Sequence, residues 1–154
     1  MRKITYTSSV GILCVVHPTR NTIGETLTTD EEIEQRAWGK LPADAVNPQY
    51  VDASAIPSDR TFRNAWVQRG NAVEHDLVKA KAIAHEKRRA RREILFAPHD
   101  AVIMKQIPGK DAAAAEQARA DIRLADSLVQ ETINNATDVN QIKSALVAYG
   151  ALVT

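Results

Sequence analysis

Between Lys79 and Arg92 the chain carries seven bases, Lys79, Lys81, Lys87, Arg88, Arg89, Arg91 and Arg92, against one acid, Glu86. Positive charge at that density binds phosphate, pairs with carboxylates or stands in water. On a helical wheel started at Leu77, the residues Lys81, His85, Arg88, Arg89 and Arg92 fall within about 100° and form one basic stripe. Lys87 and Arg91 instead sit inside an arc made of Leu77, Ala80, Ile83, Ala84, Ala90, Ile94 and Leu95. A charge inside an apolar arc snorkels, pairs with a buried carboxylate, or marks an interface. Just upstream, Ile56–Trp66 reads Ile-Pro-Ser-Asp-Arg-Thr-Phe-Arg-Asn-Ala-Trp. Phe62 and Trp66 lie four apart and can bury together on one helical turn that Asp59 would cap, leaving Arg60 and Arg63 to reach carboxylates or carbonyls. The candidate partner-binding residues are therefore Arg60, Phe62, Arg63, Trp66, Lys87, Arg88, Arg91 and Arg92.

Other chemistry finds no support. The four histidines, His17, His75, His85 and His99, include no His-x-x-x-His pair, and Cys14 has no second cysteine, so neither a zinc pattern nor an intrachain disulfide is available. Glycines are too dispersed for a phosphate loop or a dinucleotide fingerprint, and no Gly-x-Ser-x-Gly elbow is present. The expectation is a non-enzymatic protein with no cofactor and no metal.

The residues that could bind must be held by the rest of 154 residues, a length that suits one ordinary domain. With 20 basic and 19 acidic residues the formal charge is +1, which argues against a nucleic-acid or anionic-membrane binder acting through its whole surface. Aromatics make up only 5% and alanine is abundant, so the helices carry little bulky apolar area and self-association or incorporation into an assembly is expected. Cys14 lies in the apolar run Val10–Val16 and reads as a buried structural thiol. That run is far short of the roughly 20 residues a membrane span needs, and a signal peptide is not expected, because polar Thr5–Ser9 breaks the apolar region after the basic start and no small-residue cleavage site follows.

Ile4–Thr7 alternates, Ser8-Ser9 offers a turn, and Val10–His17 is rich in β-branched residues until Pro18, a pattern that predicts a small β-hairpin. Thr29-Asp-Glu-Glu32 has the spacing of a capping box and opens a short helix through Trp38, ended by Gly39 and Pro42. Prolines at 42, 48 and 57 bracket an extended piece, Gln49–Ile56, readable as a linker or edge strand. From Asp76 onward strong helix formers dominate and three helices are expected: about Asp76–Ala97, with Pro98 kinking or restarting it and Ile107-Pro-Gly109 stopping it; Asp111–Ala136; and Asp138–Ala148 capped by Thr137. On the second, Ala115, Ala118, Ile122, Ala125, Val129 and Ile133 form the packing seam, broadened by Leu124 and Leu128. Its acids Asp111, Glu116, Asp121, Asp126 and Glu131 recur every five residues, scatter around the helix and read as solvated charges. The organisation expected is α+β: residues 1–57 β-containing with one short helix, 58–75 a linker or clamp, and 76–154 a helical hairpin or bundle. Within it the basic helix can pack antiparallel to the acidic one, offer a protein-partner surface, or bind nucleic acid.

The Pro57-Ser-Asp-Arg-Thr-Phe-Arg-Asn-Ala-Trp66 element, the Asp76-Leu-Val-Lys-Ala-Lys81 helix opening and the arginine-rich continuation to Arg92 resemble small bacteriophage and prophage tail-associated proteins of tail-fibre and fibre-assembly gene neighbourhoods. The resemblance covers about Ile56–Leu146, including Ala136–Leu146 at the last helix. It departs at Ala97-Pro-His-Asp100, where the family has a Leu-Asp pair, and does not extend into the N-terminal β region. It implies a structural adaptor at the fibres or baseplate, in the virion tail and in the host cytoplasm during assembly. Its partners would be other tail proteins, in a homo- or hetero-oligomer, with nucleic acid unfavoured. A fibre-assembly chaperone absent from the virion, or a small nucleic-acid-binding protein using the basic helix, is the alternative.

Overall fold

The computed structural model describes residues 1–20, 29–105 and 109–152, and the chain divides into two compact units, Met1–Asp76 and Leu77–Thr154. Its architecture is α+β, a small N-terminal β region followed by a helical region.

In the first unit β1 (Lys3–Thr7) is central, with β2 (Leu13–Val16) antiparallel on one side and β3 (Val46–Val51) antiparallel on the other. Both faces of β1 are covered: Ile4 and Thr5, which point to opposite sides, are fully buried. On the Ile4 side lies α1 (Asp30–Gly39), opened by the Thr29–Glu32 capping box in both directions. Trp38 of this helix stacks on Tyr50 at 4.7 Å between ring centres, and Ile33 is fully buried. On the Thr5 side lies a second hairpin, β4 (Trp66–Arg69) with β5 (Ala72–His75), tied to the sheet by Thr5 Oγ1 donating to Gln68 Oε1 at 2.8 Å and Gln49 Nε2 donating to the Gly70 carbonyl at 3.0 Å. Gly70 takes φ 57° at the first position of the two-residue loop, the backbone a type II′ turn requires. Leu13, Trp66 and Val73 pack together there, with Val15 and Ile56 beside them.

Two sequence expectations change in this unit. Residues 66–75 form a hairpin inside the compact unit instead of a linker, because Trp66 and Val73 on one face find the apolar underside of the sheet. The extended piece expected over Gln49–Ile56 begins earlier and ends at Val51; Pro48 is tolerated because β3 is an edge strand, and a 3₁₀ turn, Ala53–Ala55, follows.

The second unit is a helical bundle of α2 (Leu77–Lys105), α3 (Ala112–Asn135) and α4 (Val139–Ala148). Contacts pair Lys81 with Asn134, Arg88 with Asp126 and Asp100 with Arg119, so α2 and α3 run antiparallel. Ala80, Ala84, Ala115, Ile133, Ile142 and Leu146 are buried in its core. Asp111 caps α3 through the amides of Ala113 and Ala114. The cap of α4 is Asp138, not Thr137: its carboxylate accepts from Asn140 and Gln141, while Thr137 bonds Gln141 Oε1. α2 continues through Pro98 without the restart that was one of the two expectations for it. The proline's missing N–H would have served the Ile94 carbonyl, and since both residues are exposed, water can serve it instead. Of the stop expected at Ile107-Pro-Gly109, Ile107 and Pro108 lie outside the described residues; Gly109 has φ 75°. Among the described residues no helix is long and apolar enough to cross a membrane.

Candidate functional site

The first candidate cluster surrounds the turn that leads into β4. Asp59 Oδ1 accepts from the backbone N–H of Thr61 at 2.9 Å and from its hydroxyl at 2.6 Å, closing a local turn. A single 3₁₀ turn, Arg63–Ala65, follows, and Trp66 already belongs to the strand. Phe62 and Trp66 therefore do not share the helical turn expected from their spacing, nor does Asp59 cap one. Both rings are nonetheless buried, Phe62 at 1% exposure. They serve as scaffold, Phe62 shut off from any partner and Trp66 leaving only a small part of its surface open.

Arg60 and Arg63 are the exposed members of the cluster, and among the described residues neither guanidinium has a carboxylate partner. Two concavities adjoin them. One, of about 230 Å³, is lined by Ile12 to Val15 on one wall and by Arg60, Arg63, Asn64 and Trp66 on the other. The second, about 270 Å³, brings Arg60 beside Lys3 and His17. Burial, and then the charges of Lys3 and Arg60, hold the His17 ring below its ordinary pKa. The local field is positive.

Trp66 also fixes a protonation state. Its indole N–H donates to His75 Nε2 at 3.1 Å, so that nitrogen must be unprotonated. Burial holds the His75 pKa below its ordinary value, only partly offset by Asp59. The unfolded ring takes up a proton near pH 6.5 while the folded one resists it. This contribution to stability is therefore complete above that pH and declines as pH falls through the lowered folded value. The expected result is a loss of thermal midpoint for the first unit as pH falls below the ordinary histidine range. A shift of the Trp66 indole N–H resonance should accompany it, and the variant His75→Phe should show less of the dependence.

The second cluster, on α2, is arranged differently from the sequence expectation. Arg88 is 5% exposed and forms an ion pair with Asp126, itself 4% exposed. Arg92 Nη1 approaches the same Oδ2 at 2.9 Å, and Tyr149 donates its hydroxyl to Oδ1 at 3.2 Å. Burial and the Asp126 charge hold the Tyr149 hydroxyl above its ordinary pKa. Asp126 is thus not a solvated charge but the centre of the bundle's polar core, and Arg88 is spent on it. Arg91 is half-buried and lies against Gly150, where a β-carbon would stand 3.3 Å from its Nη2. Lys87 is half-buried. The apolar arc expected around Lys87 and Arg91 is rotated: Ile94 is 64% exposed and Arg88 points inward.

On α3 five of the six expected seam residues, Ala115, Ala118, Ile122, Val129 and Ile133, are buried or half-buried and are joined by Arg119 and Asp126, whereas Ala125 is exposed, as are Leu124 at 65% and Leu128 at 57%. Lys81 Nζ donates to the Asn134 carbonyl at 2.7 Å and His85 bonds Asn134 Oδ1 at 3.0 Å. Arg119 and Arg123 both approach Glu116 at 3.0 Å and stack over Phe96. Much of the basic helix is therefore engaged within its own unit. Cys14, expected to be buried, is half-buried with Sγ 3.8 Å from the Ile12 carbonyl, and Tyr6 has its pKa raised, chiefly by a hydrogen bond to that thiol.

The signal for Asp126 was present in the sequence. It stands at heptad spacing from Arg119 and Ile133, while Arg88 and Arg92 are one turn apart on the preceding helix. Compared with known protein families, characterised proteins and solved structures, the chain matches none.

Proposed function

We propose that the protein is a non-enzymatic bacteriophage tail component, a structural adaptor at the fibres or baseplate that docks another tail subunit through its first unit. The observation that carries the docking half is the pair Arg60 and Arg63, exposed, without carboxylate partners among the described residues, and held on a turn whose rings are buried beneath them. Arginine on a rigid, partly apolar rim is the composition favoured at protein interfaces. The location in a tail rests on the Pro57–Trp66 and Asp76–Arg92 resemblance. The chaperone alternative uses the same surface on a partner that this chain releases before the virion is mature. The nucleic-acid alternative loses support from Arg88 and Arg92, whose charge is turned onto Asp126.

The test is charge reversal without loss of fold. In a phage lacking this gene and supplied with Arg60→Glu/Arg63→Glu in trans, incorporation into purified particles should fall at least about tenfold, as expected when attraction becomes repulsion at two sites. The thermal midpoint of the isolated protein should be unchanged, since both side chains are exposed. Wild-type incorporation by this variant would remove the docking surface from the account.

A further inference from the structure

We propose that the groove between β2 and the Arg60–Trp66 turn captures an extended acidic segment of the partner protein as an added strand. The proposal rests on the docking role given above and specifies what is docked.

Three consecutive residues of β2, Leu13 to Val15, line the first concavity together with Ile12 just before the strand. Successive side chains of a strand point to opposite faces, so a hollow touched by all three runs along the strand's backbone edge. Among the described residues β2 pairs only with β1, and that edge is unpaired. The ladder shows which groups face it. Ser8 N–H donates to the Ile12 carbonyl at 2.9 Å, and bonded pairs in an antiparallel ladder recur every second residue. The inward-bonded pairs are then Tyr6 with Cys14 and Ile4 with Val16, which directs the N–H and C=O of Leu13 and Val15 outward. An exposed row of this kind is a template for another strand.

Charge selects the occupant. The far wall of the groove carries Arg60 and Arg63, and Lys3 and His17 stand in the adjoining hollow. The nearest acid along the chain, Asp59, is engaged with Thr61. Ile12, 46% exposed at the start of the groove, adds an apolar contact. A segment alternating apolar residues with Glu or Asp fits all of these features. Main-chain bonds to Leu13 and Val15 would set its register, and its carboxylates would reach the two guanidinium groups.

The probe is the peptide acetyl-Val-Glu-Val-Glu-Val-Glu-Val-amide, titrated into the isotopically labelled full chain, with the lysine counterpart in place of glutamate as control. Saturable shifts are expected at the amides of Leu13 and Val15 and at the side chains of Arg60 and Arg63, with a Kd on the order of 1 mM or tighter that weakens as salt rises. Arg60→Glu/Arg63→Glu should lose the acidic peptide by at least about tenfold and take the lysine peptide instead. Val15→Pro removes an outward N–H at an edge position where proline is tolerated, and it should abolish binding while circular dichroism stays unchanged. If that variant misfolds, the charge-reversal arm decides alone. No saturable binding of the acidic peptide would overturn the proposal. So would binding that a folded Val15→Pro variant retains, tighter binding of a mixed-sequence DNA oligonucleotide, or dimerisation of the chain through β2. Failure here with the chain present in virions leaves the tail reading standing; peptide binding by a chain absent from virions does the reverse.

Discussion

Replacing Asp126 with alanine is expected to destabilise the helical unit by about 3–5 kcal/mol, the usual cost of stripping one partner from a buried ion pair. The carboxylate is almost fully enclosed and answers three donors, Arg88, Arg92 and Tyr149. Without it the Arg88 guanidinium stays buried with its charge uncompensated, whereas Arg92, at 38% side-chain exposure, can turn to water. Small domains lose about 4–8 °C of Tm for each kcal/mol, so the thermal transition followed by helical circular dichroism should fall by more than about 10 °C. Tyr149→Phe removes only one neutral donor and should cost about 1 kcal/mol. The decisive comparison is Arg88→Met with Asp126→Leu. Removing both charges together should restore most of what Asp126→Ala loses, because desolvation of the pair offsets much of its attraction. A double variant as unstable as the single one would show that the cluster contributes packing and not charge balance.

In the first unit the largest loss should come from Phe62→Ala, about 3–5 kcal/mol for a fully buried ring replaced by a cavity, measured as the denaturation midpoint of near-ultraviolet circular dichroism. Phe62 is 1% exposed and lies beside the buried Ala65–Trp66 pair that opens β4. Against a total stability of about 5–15 kcal/mol, that change brings the unit close to unfolding. Truncating Phe62 and Trp66 therefore reports on folding and cannot report on docking, and the surface pair Arg60 and Arg63 has to carry any test of a partner. A loss below about 1 kcal/mol for Phe62→Ala would mean that the neighbouring side chains collapse into the space.

Local chemistry with a fixed spacing was legible in the sequence. Thr29 with Glu32 marked a helix start, Asp111 marked another, and Ser8-Ser9 marked a hairpin, because each needs only a side chain and the backbone within a few residues. The one-residue error at the last helix, Thr137 for Asp138, arose where two capping residues stand side by side. What was not legible depended on partners distant in the chain. Alanine is nearly silent in a hydrophobic pattern, so exposed Ala125 took the place on the α3 seam that belongs to Asp126, which Arg88 fixes across the bundle. Pro98 read as a kink or restart because nothing local says that its turn faces water. Trp66 read as helical because its spacing from Phe62 allows that, whereas the pairing of 66–69 with 72–75 and the apolar underside of the first sheet make it a strand. At the candidate site the division into buried rings and outward arginines was legible, and the backbone that carries it, a 3₁₀ turn running into a strand, was not.

Quantitative mass spectrometry of purified virions tests the central claim most directly. A structural adaptor is expected as a peptide signal at constant copy number relative to the major tail proteins, unchanged through further purification and high salt. Absence from particles that are otherwise complete would contradict it.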